Sequence, residues 1–180
     1  IDAGADIIHV DVMDNHYVPN LSFGKIVTQS LVKEGVTVPL DVHLMCQPVD
    51  SMIEQFSHSG ISYITFHPEA SYHIHRSLKL IQSFGIKSGL ALNPSTSISL
   101  LEPIIDELDI ICLMSVNPGF SGQSFIPSVY QKIEAVRQLI NQTGKEILLE
   151  VDGGINISNI SAVKNAGADT FVMGSALFNS

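Results

Sequence analysis

The stretch Ile7-Ile8-His9-Val10-Asp11-Val12-Met13-Asp14 decides the fold. It reads as a β-strand with an apolar face and a face that carries chemistry. Side chains alternate along a strand, so His9, Asp11 and Met13 share one side while Val10 and Val12 take the other. An imidazole and a carboxylate at the end of an apolar run cost free energy to bury unless something pairs with them. A metal ion is the simplest partner for both. Further along, Pro39-Leu40-Asp41-Val42-His43-Leu44-Met45 repeats the design, with Asp41, His43 and Met45 on one face. A third copy, Leu148-Leu149-Glu150-Val151-Asp152, runs directly into Gly153-Gly154.

Working outward, a recurring join precedes the strands. Asp2-Ala3-Gly4-Ala5-Asp6, Ser59-Gly60-Ile61-Ser62 and Asn165-Ala166-Gly167-Ala168-Asp169 each place a glycine where a helix can end, and an apolar strand follows. The first of these joins implies that the chain opens in the tail of a helix. Helical spacing of apolar residues is present over Ser51 to Ser59, Tyr72 to Phe84 and Ser128 to Gln142. A further helix is expected after a cap at Asn156 or Ser158. Ser22 to Lys33 is a weaker helical stretch, and Pro103 breaks Ser95 to Leu108 into two pieces. Strands are expected near residues 7, 38, 63, 87, 109, 146 and 170. Strand–helix alternation implies parallel strands with right-handed crossovers. Polar residues end several strands rather than one switch point. That favours a (β/α)8 TIM barrel over an open doubly wound sheet. The expected architecture is one α/β barrel domain over 1–180, lacking the first strand and the last helix.

The totals agree with a folded enzyme-sized domain. The 180 residues are 45% hydrophobic, with a mean hydropathy of +0.28. Eighteen acidic against nine basic residues give a net charge of −9, without a basic face for nucleic acid. Anionic small molecules stay open, because backbone N–H groups bind phosphate without net positive charge. No apolar run reaches membrane-spanning length. Cys46 and Cys112 fall in or beside strands and read as buried free thiols, consistent with a reducing, cytoplasmic setting.

In a barrel the carboxyl ends of the strands form the active face. His9, Asp11, His43 and Asp152 would all reach it. Two imidazoles and two carboxylates suit one divalent metal ion: Zn, Fe(II), Mn or Co. Asp41 and Glu150, one pleat deeper, would orient those ligands. Met13, Met45 and Met114 read first as core residues, and their places near strand ends also suit a soft apolar wall over a substrate. Ser115-Val116-Asn117-Pro118-Gly119-Phe120-Ser121-Gly122-Gln123 is a Gly-rich loop that can wrap an anion or close as a lid. Asp152-Gly153-Gly154 and Met173-Gly174-Ser175 follow the last two strands, where barrels frequently hold phosphate. Glycine there lets the backbone approach closely. His16 reads as a loop residue, and His58, His73 and His75 as solvated helix residues. His67 ends a strand, and two roles stay open for it: orienting a ligand, or simple structural hydrogen bonding.

Taken in order, these stretches resemble the ribulose-phosphate 3-epimerase family. The resemblance is carried by His9 to Asp14 with Val18-Pro19-Asn20, Asp41 to Met45, Thr65-Phe66-His67 with Glu69, Ala91 to Thr96, Met114 to Phe120, Val151 to Ile155, and Gly174-Ser175-Ala176. It implies a (β/α)8 barrel that interconverts D-ribulose 5-phosphate and D-xylulose 5-phosphate. It implies that His9, Asp11, His43 and Asp152 hold the metal, with Asp11 and Asp152 also the acid–base pair. The phosphate would lie on the backbone of Gly154, Gly174 and Ser175. Gly119, Phe120, Ser121 and Gly122 would form the closing loop. His43, Asp152 and Gly153 would complete the substrate contacts, and Met13, Met45 and Met114 would form the pocket wall. Two positions depart from the family pattern: Asn15 and Ser121 each stand where the family has glycine.

The chemistry fits these residues. Inverting a carbon beside a ketone removes its proton and returns one to the other face. A metal would stabilise the enediolate as a Lewis acid while two carboxylates exchange the proton. The expected partner is a free sugar phosphate and the expected assembly a homo-oligomer, with no nucleic acid or membrane. The alternatives are an allulose-6-phosphate 3-epimerase-like enzyme, a metal-dependent hydrolase using the same site to activate water, and a non-catalytic phosphate-binding barrel.

Overall fold

The computed structural model describes residues 4–178. The expected helix tail at the start of the chain falls on residues 1–3, outside the described residues. Two compact units divide the chain, Ile1–Gly89 and Leu90–Ser180.

In the first unit, β1 (Ile8–Met13), β2 (Leu40–Met45) and β3 (Ile61–Phe66) are successive parallel neighbours. The pairing of β1 with β2 sets His9 beside Asp41, Asp11 beside His43 and Met13 beside Met45. Both strands therefore turn their polar residues to the same face. Val10 and Val12 are buried on the other face, as alternation demands. Three helices pack in this unit: α1 (Ile26–Lys33), α2 (Val49–Phe56) and α3 (Ile74–Ser83). Helix α2 buries Val49, Ile53 and Phe56, four and three residues apart. Full burial of a side chain such as Ile53 or Phe56 is worth about 1.5–3 kcal/mol.

Two helices are shorter or shifted relative to the sequence expectation, each for a local reason. Ser22 does not open α1, because its hydroxyl is spent on β1: it donates to the Asp11 carbonyl (2.8 Å) and accepts from the Met13 N–H (2.9 Å). Helix α2 stops at Phe56, so His58 lies in a turn and is not a solvated helix residue. Its Nε2 meets the Thr28 hydroxyl of α1 at 2.9 Å.

In the second unit, β5 (Ile110–Met114), β6 (Leu148–Asp152) and β7 (Thr170–Val172) are again successive parallel neighbours. The strand β4 (Lys87–Leu92) runs through the boundary between the units. Helices α4 (Val129–Thr143) and α5 (Ile160–Ala166) bridge the strands, and the short α6 (Ser175–Phe178) follows β7. Helix α4 buries Val129, Ile133, Val136 and Ile140 along one stripe and ends at Gly144, in the left-handed conformation. Pro103 lies between two short 3₁₀ turns, as expected. Neither Asn156 nor Ser158 caps α5, which begins after Asn159. Instead the Asn156 N–H donates to Asn159 Oδ1 (2.8 Å), and Asn159 Nδ2 donates to the Gly154 carbonyl (2.8 Å), closing the turn after β6.

Asn15 has φ = 61°, and it is the sole non-glycine residue with positive φ among the described residues. Asparagine tolerates that region far better than most side chains, so the turn after β1 survives without glycine. Ser121 has no positive φ and sits in its loop without that strain. Cys46 and Cys112 are buried free thiols. Burial, with the Asp14 charge beside it, pushes the Cys46 thiol up to about 12, so it is held protonated.

Candidate active site

On the polar face of the first unit, three side chains converge. His9 Nε2 lies 3.3 Å from Asp11 Oδ1, and His43 Nδ1 lies 3.0 Å from the same oxygen. The register of β1 and β2 produces this, because it places Asp11 directly beside His43 with His9 one pleat below. Behind His9, its Nδ1 meets Asp41 Oδ2 at 2.7 Å. Asp41 has no exposed surface and accepts from Nδ1–H, so that with a cation in place of the proton on the Asp11 side the Nε2 lone pair would be free to bind it. Asp41 therefore holds the His9 ring, because the register sets the two residues side by side. Asp11 keeps 43% of its side chain exposed while His43 keeps none. The carboxylate is the solvent-facing edge of an otherwise buried cluster.

Burial would raise the Asp11 carboxyl, but hydrogen bonds with His43 and His9, and their charges, hold it well below the usual carboxylate range. His67 directly follows β3 and is fully buried, with its Nε2 2.9 Å from His43 Nε2 and the Tyr17 ring stacked on it at 4.6 Å. Burial, reinforced by the neighbouring His43 charge and opposed by Asp11, holds His67 well below 6.5. The two shifts act in one direction on stability. A depressed carboxylate contributes stability above the unfolded value near 3.8, lost as pH falls through the folded value. A depressed imidazole binds a proton more readily in the unfolded chain, so acidification below 6.5 favours unfolding. In chelator-treated protein, the melting temperature is expected to fall between pH 7 and pH 5. The same series on His67→Gln should show a flatter limb; an unchanged limb would take His67 out of the account.

The donor set fits a divalent cation. One carboxylate oxygen and two imidazole nitrogens lie within 4.8 Å of one another. Their chemistry suits the borderline metals of the Zn and Fe(II) group. His9, Asp11 and His43 could hold such an ion between them.

In the second unit, Asp152 closes β6 beside Met114, half-buried, with the buried Glu150 one pleat deeper. Ser115 holds this strand end. Its N–H donates to the Asp152 carbonyl (2.7 Å) and its hydroxyl to the Gly153 carbonyl (2.5 Å). Met45 and Met114 are closed to solvent and Met13 is partly open. Next to the end of β6 lies a cavity of about 430 Å³ whose lining includes Gly122, Gln123, Gly154, Asn156 and Ser175. Gly122, Gly154 and Ser175 are thus brought to one cavity, and Gly174 adjoins it in the chain. Gly119 is buried and Phe120 is 55% exposed. Sequence reading did not single out Gln123, whose Nε2 donates to the carbonyls of Asn117 (2.6 Å) and Phe120 (2.9 Å) and clasps the loop. Nor did it find Ser22 or Ser115 as supports. Each bonds backbone, and no spacing marks such a bond in advance.

The comparisons agree with this architecture. The chain is similar over 98% of its length to the tryptophan synthase α-subunit of Pyrococcus furiosus (TM-score 0.67, 17% identity, 78% of that chain). It is likewise similar over 97% to a 3-hexulose-6-phosphate synthase (TM-score 0.69, 17% identity, 80% of that chain). These likenesses show the fold, a partial (β/α)8 barrel. The profile of the Ribulose-phosphate 3 epimerase family matches residues 1–178. The ribulose-phosphate 3-epimerase of Buchnera aphidicola subsp. Acyrthosiphon pisum is 56% identical over 178 residues, covering 99% of this chain and 78% of that protein. That of Escherichia coli K12 is 55% identical over 177 residues, covering 98% and 79%. The chain belongs to the ribulose-phosphate 3-epimerase family.

Proposed function

We propose that this protein interconverts D-ribulose 5-phosphate and D-xylulose 5-phosphate by two-carboxylate proton transfer. The observation that carries the reading is the convergence of His9 Nε2 and His43 Nδ1 on one Asp11 oxygen at the end of paired strands. Asp152, at the end of β6, is the fourth member of the donor set and the second acid–base group. The two compact units act together as one barrel domain. A divalent cation bound by these residues supplies Lewis-acid stabilisation of the negative charge that develops on the substrate oxygens.

Asp11, held ionised by its two histidines, is the base that takes the proton from the third carbon. Asp152, protonated, delivers one to the opposite face, and the reverse reaction exchanges the two roles. Positioned acid–base groups of this kind supply about 10²–10⁴-fold. Met13, Met45 and Met114 form the apolar wall against which the enediolate lies. The backbone of Gly154, Gly174 and Ser175 holds the phosphate, and the loop from Gly119 to Gly122 closes over it. The phosphate is remote from the reacting carbon, so its binding energy is used for orientation. The protein works in the cytoplasm as a homo-oligomer on a free sugar phosphate. No described helix is long and apolar enough to cross a membrane.

The test is incubation of the purified protein with D-ribulose 5-phosphate in deuterated water, with and without a chelator, followed by NMR at the third carbon. Deuterium entry together with xylulose 5-phosphate, both lost on chelation and restored by metal, is the expected result. Metal-replete protein that leaves the third-carbon proton unexchanged would overturn the reading.

A further inference from the structure

Each imidazole on the Asp11 side has its second nitrogen in contact with a buried partner. For His9 that partner is the Asp41 carboxylate, which can only accept. For His43 it is another imidazole, His67, with Nε2 to Nε2 at 2.9 Å and ring centroids 5.0 Å apart. Neither His43 nor His67 has exposed surface, so water does not compete for this contact. A short contact between two imidazole nitrogens needs one proton between them, and the residue that lacks it must accept. If His67 donates, His43 carries its own proton on Nδ1, the nitrogen 3.0 Å from Asp11, and its lone pair there is lost to a cation. If His67 accepts, His43 is the Nε2–H form and its Nδ1 lone pair faces the same point as His9 Nε2.

We propose that His67 is a positioning residue that accepts the His43 Nε2–H and thereby presents the His43 Nδ1 lone pair to the cation. It acts behind His43 as Asp41 acts behind His9. Its own ring is held by the stacked Tyr17, whose hydroxyl donates to Glu69 Oε2 at 3.3 Å. His67, Tyr17 and Glu69 thus stand in line behind His43. The inference rests on the cation reading of His9, Asp11 and His43.

The experiment measures Zn(II) affinity of chelator-stripped protein by competition with a chromophoric chelator. Wild type, His9→Ala, His67→Phe and His67→Gln are compared, with circular dichroism for folding. Long-range ¹H–¹⁵N NMR of the zinc-loaded wild type reads the His43 tautomer. Wild type should bind zinc and His9→Ala should lose it. His67→Phe should weaken binding about 10–100-fold, the usual cost of removing a ligand's outer partner. His67→Gln keeps an acceptor oxygen and should recover most of the affinity. The spectrum should show the proton on His43 Nε2. Zinc affinity in His67→Phe equal to wild type, or a His43 proton on Nδ1 in the loaded protein, would overturn the inference while leaving the cation reading intact. Failure of wild type to bind, or unchanged binding in His9→Ala, would remove the cation reading and the inference with it. If His67→Phe loses the wild-type fold, the tautomer in wild type decides.

Discussion

Replacing Asp11 by Asn is expected to lower kcat by at least about 10³-fold, within the range that positioned acid–base groups supply. The substitution keeps shape and removes charge. The amide cannot take a proton from carbon, and it would turn a donor or a weak acceptor toward His9 Nε2 and His43 Nδ1, both now within 3.3 Å of the carboxylate. The fold should survive. The side chain is 43% exposed, and the link between Asp11 and Ser22 runs through the Asp11 backbone carbonyl. A coupled assay for xylulose 5-phosphate, with circular dichroism alongside, makes the measurement. Turnover within tenfold of wild type in folded Asp11→Asn would remove Asp11 from its role as base. Asp152→Asn should behave alike, because inversion needs a group on each face.

The second large effect is expected at Gly154. Its φ is +65°, and a Cβ there would sit 2.5 Å from the Phe125 backbone nitrogen and 3.0 Å from the Gln123 carbonyl oxygen. Both neighbours are main chain, so neither can turn aside as a side-chain tip would. The left-handed conformation costs a side chain about 1–2 kcal/mol, and overpacking adds about 1–3 kcal/mol. Gly154→Ala is therefore expected to lose about 2–5 kcal/mol in denaturant unfolding. Its KM for the sugar phosphate should also rise about tenfold or more, the equivalent of about 1.4 kcal/mol in binding. Gly174 is the informative contrast. A Cβ there meets nothing within 4 Å. Gly174→Ala should keep wild-type stability and raise KM alone if the backbone at this point approaches phosphate. A stable Gly154→Ala with unchanged KM would mean that neither the loop nor the phosphate needs this glycine.

Much of the fold was legible because the polar faces of β1, β2 and β6 follow a period of two. That His9, Asp11 and His43 lie on polar strand faces was readable from that alternation, and so was Asp41 on the face of His43; its contact with His9 was not, because it follows from the β1–β2 register. The tolerance of Asn15 for its turn was readable from backbone sterics. Helix ends were less legible where a tertiary bond overrode local preference. Ser22 reads as a helix opener and is used by β1, and Asn159 reads as a helix residue and closes on Gly154. The partnership of His67 with His43 could not be read, because it depends on how β3 sits against β2 past a register shift at Leu40 and Asp41. Serines and glutamines that grip backbone, such as Ser115 and Gln123, carry no periodic mark.

The one-to-one pairing of β1 with β2 has a consequence for how the chain reaches its native state. A slip of one residue along either strand would turn its whole polar set to the opposite face. His9 would then lose Asp41, and Asp11 would lose His43, in a single step. An ion held by these side chains is bound by the correctly paired strands alone, and binding free energy gained only by one arrangement is folding free energy. On the proposed cation reading, occupancy of the cluster would therefore proofread strand alignment: misaligned chains would forfeit the ligand, and aligned ones would be trapped by it.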